Sequence, residues 1–224
     1  MKLYVVAAMH GDEIFGLEVL KYIEKIKNIK VRIAHPKAIK GNKRFITSDL
    51  NRSFRRSHNN LESKLADSIE KEIIEFKPDY VIDIHTSITN VGKTGIVCGY
   101  STKIENLAQS LGLNNIVIMP KKYYQNSLIG CLPDRSISIE LGKNLRSDKL
   151  ARTLAKNIND LVLKDKNYLK PLSRYSVTTT IDKKDNNVVG IENLKYNSYF
   201  KAYPFLANEK AYLDIGGFLA KKLN

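Results

Sequence analysis

Cysteine is scarce in this chain: Cys98 and Cys131 are the only two in 224 residues, and they stand in no paired spacing. That excludes a disulfide framework and a cysteine-based zinc module, and it fits a reducing, cytoplasmic compartment. Long apolar runs are missing too. Nothing approaches the roughly 18–20 residues that span a bilayer, so no membrane partner is expected. The opening residues 1–8 are too short for a signal peptide's apolar region and read as a first strand. There is no internal repeat, no low-complexity tract and no arginine-rich arm. Basic residues are not interleaved with aromatics as on a nucleic-acid platform. Acidic residues are in deficit, 23 against 37 Lys+Arg, for a net charge of +14. Such a surplus attracts anions. Its lysines are scattered (Lys25, Lys27, Lys30, Lys37, Lys40, Lys43), so it reads as a solvated surface that favours small anions over nucleic acid.

What is present is a 43% hydrophobic chain, enough for one sizeable core. Residues 3–8 read as a buried strand. A helix is expected over about 12–27, with Ile14, Leu17, Val19, Leu20, Ile23 and Ile26 near helical spacing. A short strand at 31–34 is stopped by His35-Pro36. Residues 37–59 are polar, basic and loop-rich. A helix over 61–76 carries Leu61, Leu65, Ile69, Ile73 and Phe76 on one stripe. Strands follow at 80–84, 95–98, 116–118 and 136–139, with helices at 104–111 and 148–163. Alternating strands and helices predict an α/β fold: a mixed, largely parallel sheet flanked by helices. The composition shifts near Leu169-Lys170-Pro171. The expected division is an α/β domain over 1–168 and a small β-rich module over 169–224.

His10-Gly11-Asp12-Glu13 directly follows the first strand. A histidine and a glutamate three apart across a turn can point at one centre, and imidazole with carboxylate suits zinc. Asp83-Ile84-His85 offers a third ligand at the carboxyl end of another strand, where sites of open α/β sheets lie. Taken singly, the first pair is more often a surface pair than a ligand set, and His85 reads as a core histidine. Arg44 and the run Asp49-Leu50-Asn51-Arg52-Ser53-Phe54 suit a carboxylate: a guanidinium fork grips it, and an adjacent amide donates a further bond. By spacing alone they are a basic surface loop. Asp49 is placed to accept from the outer nitrogen of a ligand histidine. Glu140 ends a strand before a glycine, where a carboxylate near a metal can take a proton from water.

These pieces, in this order, resemble the succinylglutamate desuccinylase/aspartoacylase family of zinc carboxypeptidase-like enzymes. The matching segments are HGDE at 10–13, SDLNRSF at 48–54, DIHTS at 83–87, SIELGK at 138–143 and AYPFLANEKAYL at 202–213. The resemblance implies that His10, Glu13 and His85 hold one zinc per chain, with Asp49 behind them. It implies Glu140 as the general base that activates the attacking water and later protonates the leaving amine. Arg44 would polarise the scissile carbonyl, Asn51 and Arg52 would grip a substrate carboxylate, and Tyr203 would close on the same ligand. Two positions depart from the family. Aspartoacylases carry an arginine for the second substrate carboxylate ten residues before the base, where this chain has Gly130; Arg135 is nearby, but its strand parity is opposite to that of Glu140. The family's Asn-Pro-x-Ala reads His35-Pro36-Lys37-Ala38, with His35 expected to be structural or solvent-facing. His58 reads as a loop residue.

The leading expectation is therefore a zinc-dependent amidohydrolase acting on a small anionic N-acyl amino acid, a reading compatible with a homo-oligomer. The alternative is a zinc carboxypeptidase acting on short peptides. A third reading, carried by the positive charge alone, is a nonenzymatic anion- or nucleic-acid-binding protein.

Overall fold

The structure is a computed structural model that describes residues 1–56, 59–164 and 170–224. His58 and the boundary expected at 168/169 fall outside the described residues. Nine described strands form one sheet: β1 (Leu3–Ala7), β2 (Ile29–Ile33), β3 (Tyr80–Ser87), β4 (Lys93–Val97), β5 (Asn115–Ile118), β6 (Ser136–Gly142), β7 (Ser173–Asp182), β8 (Tyr203–Phe205) and β9 (Ile215–Leu223). Their order is β2-β1-β3-β6-β4-β5-β7-β9-β8. The pairs β1/β2, β1/β3, β3/β6, β4/β5 and β5/β7 are parallel, while β4/β6, β7/β9 and β8/β9 are antiparallel. The sheet is thus mixed and largely parallel. The strands of the C-terminal segment extend that same sheet, because β7 pairs directly with β5.

The helices are α1 (Phe15–Leu20), α2 (Pro36–Lys40), α3 (Leu61–Phe76), α4 (Thr102–Ser110), α5 (Lys121–Tyr124), α6 (Leu128–Cys131) and α7 (Asp148–Leu163). The two long ones start where a cap is available. The Asn60 side chain accepts from the Ser63 amide at 2.9 Å, and Ser147 accepts from the Leu150 amide at 3.2 Å. α3 ends at Lys77, whose left-handed φ of 50° turns the chain before Pro78. The helix expected over 12–27 is only α1. Its flanks are turns, closed by short bonds such as Glu13 N to His10 O and Tyr22 N to Val19 O. The apolar spacing there is met by turns that bring Ile23 and Ile26 to the same core. The loop-rich stretch holds α2 and a single 3-10 turn, Leu50–Arg52. No described helix is long and apolar enough to cross a membrane.

Period-two alternation decides what each sheet face carries. Ile82 and Ile84 of β3 join Ile137, Ile139 and Leu141 of β6 in the core packed with residues of α1, α4 and α7. The other face of the same strands carries Asp83 and His85 beside Ser136, Ser138 and Glu140, in register. β4 is antiparallel to β6, so it places Thr94 opposite Glu140 and Ile96 opposite Ser138 on that polar face.

Candidate metal centre and active site

His10 leaves β1 through a tight turn. Ala8 has a left-handed φ of 54°, a conformation that non-glycine residues adopt only when the surroundings impose it. The Gly11 amide then donates to the Arg44 carbonyl at 3.0 Å. A Cβ at Gly11 would lie 2.2 Å from the Ala38 carbonyl carbon and 2.5 Å from the Lys43 carbonyl oxygen. Only glycine allows this turn to sit against α2 and the segment that carries Arg44.

His10, Glu13 and His85 converge. One ligand atom from each lies within 4.8 Å of the other two. His10 Nδ1 is 2.6 Å from Glu13 Oε1, and His85 Nδ1 is 3.0 Å from Glu13 Oε2. The outer nitrogens are engaged elsewhere: His10 Nε2 lies 3.0 Å from Asp49, and His85 Nε2 lies 2.7 Å from Asp83. Outer carboxylates of this kind fix the tautomer and leave each Nδ1 lone pair aimed inward. Asp49 also accepts from the Asn51 amide at 2.8 Å, capping the 3-10 turn that presents Asn51 and Arg52. Asp83 was not singled out from the sequence. Its signal is the Asp-x-His spacing on a strand, which puts both side chains on one face. Burial pushes the two imidazoles down, but carboxylates more than offset it: Glu13 and Asp49 hold His10 above its usual pKa, and Asp83 and Glu13 hold His85 well above.

The donor set fits a zinc. Two imidazole nitrogens and a carboxylate meet at one point, each imidazole is backed by an outer carboxylate, and the point opens onto a cavity. That cavity is lined by His10, Glu13, Arg44, Asn51, Arg52, His85 and Glu140 among others. Arg44 Nη1 donates to Glu13 at 3.0 Å, and its Nη2 lies 3.5 Å from Asp49. Arg52 stacks with its Cζ 5.0 Å from the Tyr124 ring centre, and it forms no salt bridge with any described residue. The Asn51 carboxamide oxygen accepts from the Leu128 amide at 3.2 Å, which leaves the amino group as a donor. Burial pushes the Glu140 carboxyl up to about 8; Glu13 and Glu209 push the same way, and His85 and His10 oppose.

Tyr203 requires a correction, because the structure places it away from this cavity. Residue 203 lies on β8 and pairs with Ala220 of β9, and its ring packs edge-on against Tyr175 and Tyr196. The chain then returns over the cavity through Leu206 and Asn208, both with positive φ. This loop delivers Leu206, Glu209, Ala211 and Tyr212 to the lining. Tyr212 and Tyr124 bring their hydroxyls to 3.5 Å, and Glu209 accepts from the Ile88 amide at 3.1 Å and from the Ser87 hydroxyl. Glu209 and Tyr212 were not singled out from the sequence, although both lie in the AYPFLANEKAYL segment, whose second tyrosine is the one in the cavity lining. Thr86 and Ser138 lie within the DIHTS and SIELGK segments but were not singled out, and Tyr124 and Ile96 carried no sequence signal.

The two departures also have structural accounts. Gly130 lies in α6, where a Cβ would sit 1.6 Å from the Tyr124 carbonyl oxygen, so no side chain fits there. Arg135 is exposed just before β6 and lines a separate depression with Arg55, Glu70 and Cys131. His35 is fully buried and faces Glu62, 3.1 Å away, outside the cavity lining.

Comparison with known proteins places the chain among relatives of the same fold. A "Probable aspartoacylase" of Trichodesmium erythraeum is 28% identical over 162 residues, covering 63% of this chain and 55% of that protein. One of Acaryochloris marina is 26% identical over 190 residues, covering 76% of this chain and 64% of that protein. The chain thus spans less than two thirds of the length of the curated relatives it matches. The fold is similar to that of a succinylglutamate desuccinylase from Chromobacterium violaceum, with a TM-score of 0.80 at 17% identity over 100% of this chain and 85% of that one. It is also similar to murine aminoacylase 3, with a TM-score of 0.74 at 16% identity over 100% of this chain and 95% of that one. Residues 1–164 match the Succinylglutamate desuccinylase/Aspartoacylase catalytic domain, and the chain belongs to that family.

Proposed function

We propose that the protein is a zinc-dependent amidohydrolase that cleaves the amide bond of an N-acyl amino acid. The observation that supports this most is the meeting of His10, Glu13 and His85 in the cavity that also holds Glu140 and Arg52. His10, Glu13 and His85 would hold the metal, with Asp49 and Asp83 behind the imidazoles. A zinc held there supplies Lewis-acid polarisation and acidifies water.

The protein's own groups do the rest. Arg52, free of salt bridges to described residues, and the Asn51 amino group bind the carboxylate of the substrate. Arg44 donates to the carbonyl oxygen as negative charge gathers on it; a donor in that role is worth about 3–4 kcal/mol of barrier. The Glu140 carboxylate takes a proton from the attacking water and gives it to the leaving amine nitrogen. Glu140 lines the same cavity as His10, Glu13 and His85, and a carboxylate positioned there serves as base for the water and then as acid for the amine. The Tyr212 hydroxyl, in place of Tyr203, closes the wall beside the bound carboxylate. The products are a carboxylate and an amine, one water consumed.

A carboxypeptidase acting on short peptides would use the same groups, so the test is a substrate panel with measured metal. About one zinc per chain is expected by elemental analysis, with N-acyl amino acids hydrolysed in preference to dipeptides. Turnover of dipeptides alone would replace the deacylase reading with the peptidase. A metal-free, inactive protein that binds nucleic acid would replace both.

A further inference from the structure

The cavity's charges are unevenly distributed, and this bears on which amino acid is released. It has two cations in its lining, Arg44 and Arg52. Arg44 is already paired, at 3.0 Å to Glu13 and 3.5 Å to Asp49. Arg52 alone has no salt bridge with a described residue, so the cavity offers one guanidinium to one carboxylate. Arg52 is itself stacked on Tyr124, whose hydroxyl meets that of Tyr212. The rest of that wall is Ile96, Ser138 and Leu206. The remaining ionisable groups in the lining are acidic or belong to the metal set: Glu140, Glu209, His10, Glu13 and His85.

An amino acid's side chain branches from the carbon that carries its carboxylate. Once that carboxylate is on Arg52, the side chain has to lie within a few ångströms of it. There it meets aromatic rings, aliphatic groups and a serine hydroxyl. A second carboxylate would find no free cation and would approach Glu140 and Glu209. Burying an unpaired charge is costly, and like charges brought together cost more. Two more cations, Arg146 and Lys210, line a neighbouring recess beyond Glu13, Arg44, Thr86 and Glu209. Neither Arg146 nor Lys210 is in the lining of the cavity itself.

The geometry points to a released amino acid that carries a single carboxylate and an uncharged side chain: the enzyme is a deacylase for N-acylated neutral amino acids, and it discriminates against N-acyl aspartate and glutamate. This inference rests on the deacylase reading above. Two measurements with the full chain test it. With zinc-loaded protein, kcat/KM for N-acetyl-methionine and N-acetyl-alanine should exceed that for N-acetyl-aspartate and N-acetyl-glutamate by about 100-fold or more. With the Glu140→Gln variant, titration calorimetry should show the same order of binding without turnover. Arg52→Ala should abolish binding of the neutral ligands. Equal or better turnover or binding of the acidic pair would overturn the inference while leaving the deacylase reading standing. So would acidic-ligand binding that survives Arg52→Ala, because it would reveal a second clamp. Hydrolysis of dipeptides with no N-acyl amino acid cleaved would overturn the deacylase reading first, and this inference with it.

Discussion

The protein contains two buried histidine–carboxylate systems, and they differ in what their nitrogens face. In the first, His35 Nε2 lies 3.1 Å from Glu62, and its Nδ1 accepts from the Ala38 amide. The same Glu62 oxygen also accepts from the Ile46 and Thr47 amides, each at 2.9 Å. Both ring nitrogens are engaged by the fold, and His35 and Glu62 are wholly buried. In the second, the outer nitrogens of His10 and His85 face Asp49 and Asp83, while both Nδ1 atoms converge on Glu13 at a cavity wall. A buried histidine beside a carboxylate is therefore no mark of a site by itself. Convergence of two imidazoles on a shared, accessible point is.

Four substitutions break or sharpen this contrast. The largest effect is expected from His85→Ala, which removes a ligand: bound zinc should fall from about one per chain to none by elemental analysis, and hydrolysis with it. Glu140→Gln should keep the zinc and lower kcat/KM by about 10²–10⁴, the usual share of a general acid–base group. Asp83→Asn leaves the ligands in place and loosens the orientation of His85; metal affinity, read by competition with a chelator, should weaken about 10–100-fold. Glu62→Gln is the control from the closed system. It should leave metal content and kcat/KM unchanged and cost about 1–2 kcal/mol in denaturant unfolding at neutral pH, the difference between charged and neutral hydrogen bonds.

The Glu62 variant also has a pH signature. Burial pushes that carboxyl up, but the amides of Thr47 and Ile46 and the His35 ring outweigh it and hold its pKa below the usual value. A depressed folded-state pKa gives stability that is fully present above the ordinary carboxylate range and is lost as pH falls through the folded value. The gap between wild type and Glu62→Gln should therefore close as pH falls below about 4. A gap that stays constant down to pH 2 would show that the charge on Glu62 contributes nothing.

Much of the site was legible in short segments. HGDE, DLNR and DIH each fit within one turn or strand end; spacing alone left them readable as surface or core residues, and it was their order along the chain, resembling the family, that nominated them together. Likewise α3 was legible at about 61–76, because its apolar residues fall on one stripe; the structure adds the Asn60 cap. The first helix was read too long, since apolar residues at helical spacing can be brought to one core by turns as well. Tyr203 was misjudged for a related reason: spacing cannot say which tyrosine of a segment faces the cavity once the chain reverses through two left-handed residues. Tyr124 and Ile96 reach the cavity from elements far away in sequence, and no local pattern encodes such a meeting.

By itself, then, the sequence determined the α/β class, through periodicity, and the resemblance of its ordered motifs nominated His10, Glu13 and His85 as ligands, Glu140 as base and Asn51 with Arg52 as the carboxylate-binding pair. Tertiary structure alone decided that Asp83 backs His85, that Tyr212 stands at the wall in place of Tyr203, and that Arg52 is the one cavity cation free of a salt bridge to a described residue. Those outcomes depend on how β3, β6 and β4 align in register and on where the loop after β8 returns, and such long-range distances exist only in the folded chain.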